Sequence, residues 1–122
     1  MSEMKLYTGE YSYDGTFKQQ KDGSSLLEVR WFGYGGRHYQ PSEKIKFVIK
    51  EEPENWILVT DDSVGAREGG KTIDEALGNA FMMIVDQYDD FAFYTGSLSK
   101  GEQALKEKFR SWEVHAVDQQ AQ

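Results

Sequence analysis

The chain has 122 residues and a mass of 14.0 kDa, enough for one hydrophobic core and too little for two independent ones. Seven Phe, seven Tyr and three Trp exclude a disordered chain, and the absence of cysteine excludes disulfides, thiolate metal sites and a cysteine nucleophile. A formal charge of −7 disfavours direct binding to nucleic acid or to an anionic membrane, because phosphates must be neutralised by Lys and Arg.

In chain order, the first half reads as strands. "MKLYTGEYSY" (4–13) carries Leu6, Tyr7, Tyr11 and Tyr13 and ends at Asp14-Gly15, a turn signal. "SLLEVRWF" (25–32) alternates Leu27, Val29 and Trp31 with Glu28 and Arg30, so an extended chain places Trp31 on the buried face. The following "RWFGYGGRHYQ" (30–40) reads as the end of that strand and a hairpin: Gly35-Gly36 supply the positive φ of a tight turn, and the exposed tip offers Tyr34, Arg37, His38 and Tyr39 for contact. "EKIKFVIKE" (43–51) sets Ile45, Phe47 and Ile49 against Lys44, Lys46 and Lys50, and "NWILVTD" (55–61) is a more continuous apolar run. The short "EEPEN" connection predicts an antiparallel hairpin between them.

The period then changes from two to about 3.6. Ile73, Ala76, Leu77, Ala80, Phe81, Ile84, Val85 and Tyr88 form one helical stripe, opened by Thr72 and Glu75 at capping-box spacing. Gly78 inside this helix costs about 1 kcal/mol relative to Ala, which predicts a close approach to the sheet. A second helix opens at Ser99 with Glu102 and continues through Leu105, Phe109 and Trp112, while "SWEVHAV" beyond it also alternates like a strand. The expected fold is α+β: an antiparallel sheet of about four strands followed by two helices packed on one face, in a single domain over 1–117 with a flexible tail over 118–122.

Residues that could carry chemistry are few. His38 and His115 lack the spacing of a zinc site, the serines lack a G-x-S-x-G elbow, and "GYGG" lacks the spacing of a dinucleotide loop. The expectation is a protein without enzymatic activity, cofactor or metal. With a polar N-terminus and no run of about 18 apolar residues, a soluble cytoplasmic protein without a membrane role is expected.

Charge points to a contact surface instead. Eleven of the acids fall in residues 51–99, against Arg67 and Lys71 as the only bases there. Asp86, Asp89 and Asp90 crowd the carboxyl end of the first helix, where the macrodipole disfavours them. On a continued helix they form an i, i+3, i+4 cluster about 5 to 6 Å apart, able to imitate the spacing of phosphates. The expected partner-binding residues are therefore Asp86, Asp89 and Asp90, then Asp61, Asp62, Glu51, Glu52 and Glu54. The function they suggest is an acidic inhibitor of a basic, nucleic-acid-handling protein such as a nuclease or defence enzyme, in the manner of phage-type nucleic-acid mimics.

Residues 45–85 also resemble the core of HicB-like antitoxin domains: strand, short turn, strand, glycine-containing loop, and a capped helix opening "G-x-T-x-x-E-A", matched here by Gly70, Thr72, Glu75 and Ala76. Departures are "DDSVG" in place of the family's proline and glycine pair, some 40 additional residues before the match, and no DNA-binding module after it. The resemblance implies a β-β-α layout. It also implies an alternative function, an antitoxin or dimeric interaction module acting through its sheet edge and the hairpin at Trp31, Tyr34, Arg37 and Tyr39.

Overall fold

The computed structural model describes residues 10–117, and the second strand of its sheet organises everything else. Strand β1 (Tyr11–Gln19) pairs along one edge of β2 (Ser25–Tyr34). The other edge of β2 is shared. Its first half pairs with β4 (Ile45–Glu52) and its second half with β3 (Arg37–Gln40), both antiparallel. β3 and β4 thus run in line along β2, interrupted by residues 41–44, and the sheet divides at that interruption. On one branch β4 pairs with β5 (Trp56–Thr60) and β5 with β6 (Arg67–Gly70); on the other, β3 pairs with β7 (Glu113–Ala116). Among the described residues the sheet has seven strands, all antiparallel, rather than about four.

The additional strands are short. β3, β6 and β7 span four residues each, too few for an alternating pattern to stand out, and β7 follows the second helix instead of preceding it. Asp14-Gly15, read as a turn, lies inside β1, where the register with β2 shifts. The actual turn comes at Gln20–Ser24, closed by Gly23 N–H to the Gln20 carbonyl and by the Asp22 carboxylate accepting from Ser24. Residues 4–9 of the expected first strand and the tail at 118–122 lie outside the described residues.

The register shift has a consequence for β2. Asp14 opposes Trp31 and Gly15 opposes Val29, so Arg30 has no partner in β1 and the strand carries a bulge. One extra residue exchanges the faces beyond it. Leu27 and Val29 point into the core, and after the bulge Phe32 takes the core position at 0% exposure. Trp31, expected in the core, is only half-buried and lies against His38 on the opposite face. The turn at Gly35-Gly36 does form as expected, with φ of 62° and 82° joining Tyr34 to Arg37.

The first helix covers the inner face, and the second packs against the first. Helix α1 (Ile73–Phe91) buries Ala76, Leu77, Ala80, Phe81, Ile84, Val85 and Tyr88, the stripe that its sequence period specifies except for Ile73, which is exposed in the first turn. Thr72 accepts a hydrogen bond from Glu75 N–H. The return bond of the capping box goes to Lys71 N–H instead of Thr72. Gly78 is buried. At Gly70 the sheet and helix backbones come close, because a Cβ there would stand 2.7 Å from the Ala76 amide nitrogen. Helix α2 (Lys100–Arg110) has the full reciprocal capping box between Ser99 and Glu102. It contributes Phe109, and Trp112 follows it into the core.

Aromatic rings dominate the packing. Phe81 of α1 lies within 4.7 to 5.9 Å of the rings of Phe32, Phe47, Tyr11 and Tyr13. Tyr88, two turns on, meets Tyr39, Phe109 and Trp112. No helix among the described residues is long and apolar enough to cross a membrane.

Candidate functional site: the carboxyl end of helix α1

The acidic residues singled out by sequence occupy three separate places. Glu51, Glu52 and Glu54 lie exposed at the β4–β5 turn, close to the first turn of α1, since Glu51 opposes Ile57 and Ile57 opposes Gly70. At 1.5 Å per residue, Asp86 to Asp90 lie about 20 Å away at the other end of that helix. Asp61 and Asp62 belong to the loop between β5 and β6, near Lys108 of α2.

Asp61 is not a surface acid. It is 4% exposed; its carboxylate accepts from Val64 N–H at 2.9 Å, and its own N–H donates to the Ala66 carbonyl. Burial pushes its carboxyl up from the ordinary value, while hydrogen bonds from Val64 and Ser63 pull the other way. Its role is to close the loop, and only Asp62 is left exposed for a partner there.

At the end of α1 the structure joins the two groups of residues that the sequence offered as separate sites. The hairpin tip leans on the helix: Arg37 Nη2 donates to both carboxylate oxygens of Asp89, at 2.9 and 3.1 Å. The same guanidinium stands over the rings of Tyr39 and Tyr88 at 5.3 and 5.9 Å. Arg37 and Asp89 are thereby committed to each other. Tyr39 is fully buried, so it belongs to the core and not to an exposed tip. Desolvation pushes its phenol up to about 12, and its hydroxyl has no hydrogen-bond partner among the described residues. Tyr34 is half-buried, its phenol raised by burial and by the nearby Asp86 charge.

His38 faces the other way. Its ring lies between Trp31 at 5.0 Å and His115 at 4.9 Å, forming a three-ring row on the sheet face that no helix covers. The two histidines looked unrelated because 77 positions of sequence separate them; the β3–β7 pairing places them directly opposite one another. Among the described residues no group of His, Asp or Glu is arranged to hold a metal ion.

What remains at the carboxyl end of α1 is Asp86 and Asp90, both exposed, with no cation in ion-pair range among the described residues. The last turn of α1 contains no basic residue. Sequence reasoning missed their neighbours. Phe93 and Tyr94, just past the helix, are 67% and 45% exposed, and Phe93 carries the Arg110 guanidinium 5.8 Å above its ring. The three aromatics that directly follow two acids in "DDFAFYT" are the signal that could have marked them. Comparison with protein-family models, curated proteins and solved structures finds no match to this chain.

Proposed function

We propose that the protein is a non-catalytic binding protein that occupies a basic, nucleic-acid-handling protein through the carboxyl end of α1. The observation that carries this reading is the juxtaposition of Asp86 and Asp90, neither in an ion pair among the described residues, with the exposed rings of Phe93 and Tyr94. Carboxylates at this end of a helix are disfavoured by its dipole, by a few tenths of a kcal/mol each, and are offset when a cationic partner arrives. Exposed aromatic rings beside them supply the apolar contact that charge alone does not. Asp62, Glu51, Glu52 and Glu54 lie elsewhere on the surface and contribute to long-range attraction of a basic partner, not to this contact.

The alternative, an antitoxin-like or dimeric module acting through the hairpin, is less well supported. Arg37 and Tyr39, two residues it needs, are spent within the chain on Asp89 and on the core.

The test is capture of partners from host lysate with the wild-type chain and with Asp86→Asn/Asp90→Asn and Phe93→Ala/Tyr94→Ala. Basic nucleic-acid-handling proteins should be retained by the wild type and released as NaCl rises from about 50 to 500 mM, and neither double variant should retain them. Retention that is indifferent to salt and to both variants would overturn the reading. Asp89 is left intact because its loss would also release Arg37.

A further inference from the structure

The face of the sheet turned away from the helices has the opposite electrostatic character. Alternation and register place Lys18 of β1, Arg30 of β2, Lys46 and Lys50 of β4 and Arg67 of β6 on it, together with Lys44 just before β4. Two acids lie among them and both are paired: Asp14 with Arg30, and Glu28 with Lys18 at 3.8 Å and Lys44 at 4.0 Å. Lys46, Lys50 and Arg67 have no carboxylate in ion-pair range among the described residues, Lys50 feeling only the more distant charge of Asp22 at the β1–β2 turn, and all three are exposed. Glu52 and Glu113 bound the face at its two ends.

Between the cations the face carries apolar side chains and rings. One row across the sheet reads Lys18, Leu26, Val48, Thr60 and Arg67, each the register partner of the next. Leu58 lies beside it, opposite Lys50. Two half-buried tryptophans flank the row: Trp31 in its stack with His38, and Trp56, whose ring lies on Gly69 so closely that a Cβ there would fall 2.2 Å from its Nε1. Strands about 4.8 Å apart, with outward side chains every second residue, make this a regular two-dimensional array of cations, aliphatic groups and rings.

We infer that this open sheet face is a binding surface for single-stranded nucleic acid. Such a strand combines repeating anions with flat, apolar bases. That pairing of chemistries matches exposed Lys and Arg interleaved with Trp, Leu and Val. A polymer of acidic residues alone would satisfy the cations and leave the rings and aliphatic row without a counterpart. The whole-chain charge of −7 argues against nucleic acid only if charge is evenly spread. Here the acids of α1 lie on the covered side, and the unpaired bases lie on the sheet face. This surface shares no residue with the one at Asp86 and Asp90, so each reading stands or falls separately.

The experiment is fluorescence anisotropy with labelled oligothymidylate of about 20 nucleotides, at about 50 mM NaCl, with a duplex of the same length and polyglutamate as competitors. Micromolar binding is expected, with a log–log salt slope near −2, corresponding to about three phosphates neutralised. Lys46→Glu/Lys50→Glu/Arg67→Glu should weaken it at least about tenfold, Trp31→Ala severalfold, and Asp86→Asn/Asp90→Asn not at all. All these positions are at least partly exposed, and circular dichroism establishes that the variants remain folded. The inference is overturned by no binding at about 100 µM protein, by an unaffected triple variant, or by polyglutamate competing as well as the oligonucleotide. Equal affinity for duplex overturns it too, since stacking on the rings requires unpaired bases.

Discussion

Tyr39 buries its ring completely and leaves its hydroxyl without a hydrogen-bond partner among the described residues. Tyr39→Phe removes that unsatisfied group while keeping the ring contacts with Phe32 and Tyr88, so urea denaturation should show stability unchanged or raised by up to about 1 kcal/mol. The phenol is also a linkage site. Its folded pKa, about 12, lies above the ordinary value of 10.0, so its contribution is fully present below pH 10 and is lost as pH rises toward 12. The phenylalanine variant should therefore lose about 2 kcal/mol less than wild type over that interval. Asp61 has the same sign for a different group. Burial raises its carboxyl, so stability is lost as pH rises from the ordinary carboxylate range through the folded value. Asp61→Asn keeps an acceptor for Val64 N–H without the charge and should equal or exceed wild type at pH 7, the difference vanishing in acid. Asp61→Ala leaves that buried N–H unpaired and should cost about 1 to 3 kcal/mol. Nothing in "VTDDSVG" distinguishes the buried Asp61 from the exposed Asp62; the loop's closure decides it.

At the scale of elements, the strongest sequence signals were those enforced locally. Thr72 and Ser99 start their helices because a side-chain oxygen satisfies an amide that the helix leaves free, whatever the rest of the chain does. Ser99→Ala should destabilise α2 by about 1 kcal/mol, visible as faster amide hydrogen exchange in its first turn. Gly70 is set by packing. With a Cβ only 2.7 Å from the Ala76 nitrogen, Gly70→Ala must push β6 and α1 apart, and thermal denaturation should report a loss of about 1 to 3 kcal/mol. The "G-x-T-x-x-E-A" pattern thus has a physical reading: a strand that ends under the first turn of the helix that follows it. The bulge at Arg30 was illegible because period-two alternation cannot reveal one inserted residue; only the pairing with β1 does.

For the molecule as a whole, the core runs without interruption from Val59 and Ala66 on one branch of the sheet to Tyr39 and Trp112 on the other. The last described strand, β7, returns from α2 to close on β3, so both ends of the described chain belong to one sheet. Unfolding followed by far-ultraviolet circular dichroism and by tryptophan fluorescence, which samples buried Trp112 and outward Trp31, should give coincident transitions. A first transition seen by fluorescence alone, and retained in Trp56→Phe, would mean that the β3–β7 branch opens independently.

By itself the sequence determined the α+β class, the main hydrophobic faces, both helix starts, the glycine hairpin and the acidic stretch before Ser99. These follow from periodicity, capping and turn chemistry, which act over a few residues. Tertiary structure decided the division of the sheet, the exchange of Trp31 for Phe32 in the core, the pairing of Arg37 with Asp89 and the apposition of His38 to His115. It also decided which charges stay free: Asp86 and Asp90 on the helix side, Lys46, Lys50 and Arg67 on the open sheet. Each of these depends on a partner distant in sequence, and register is fixed only when whole faces are buried together.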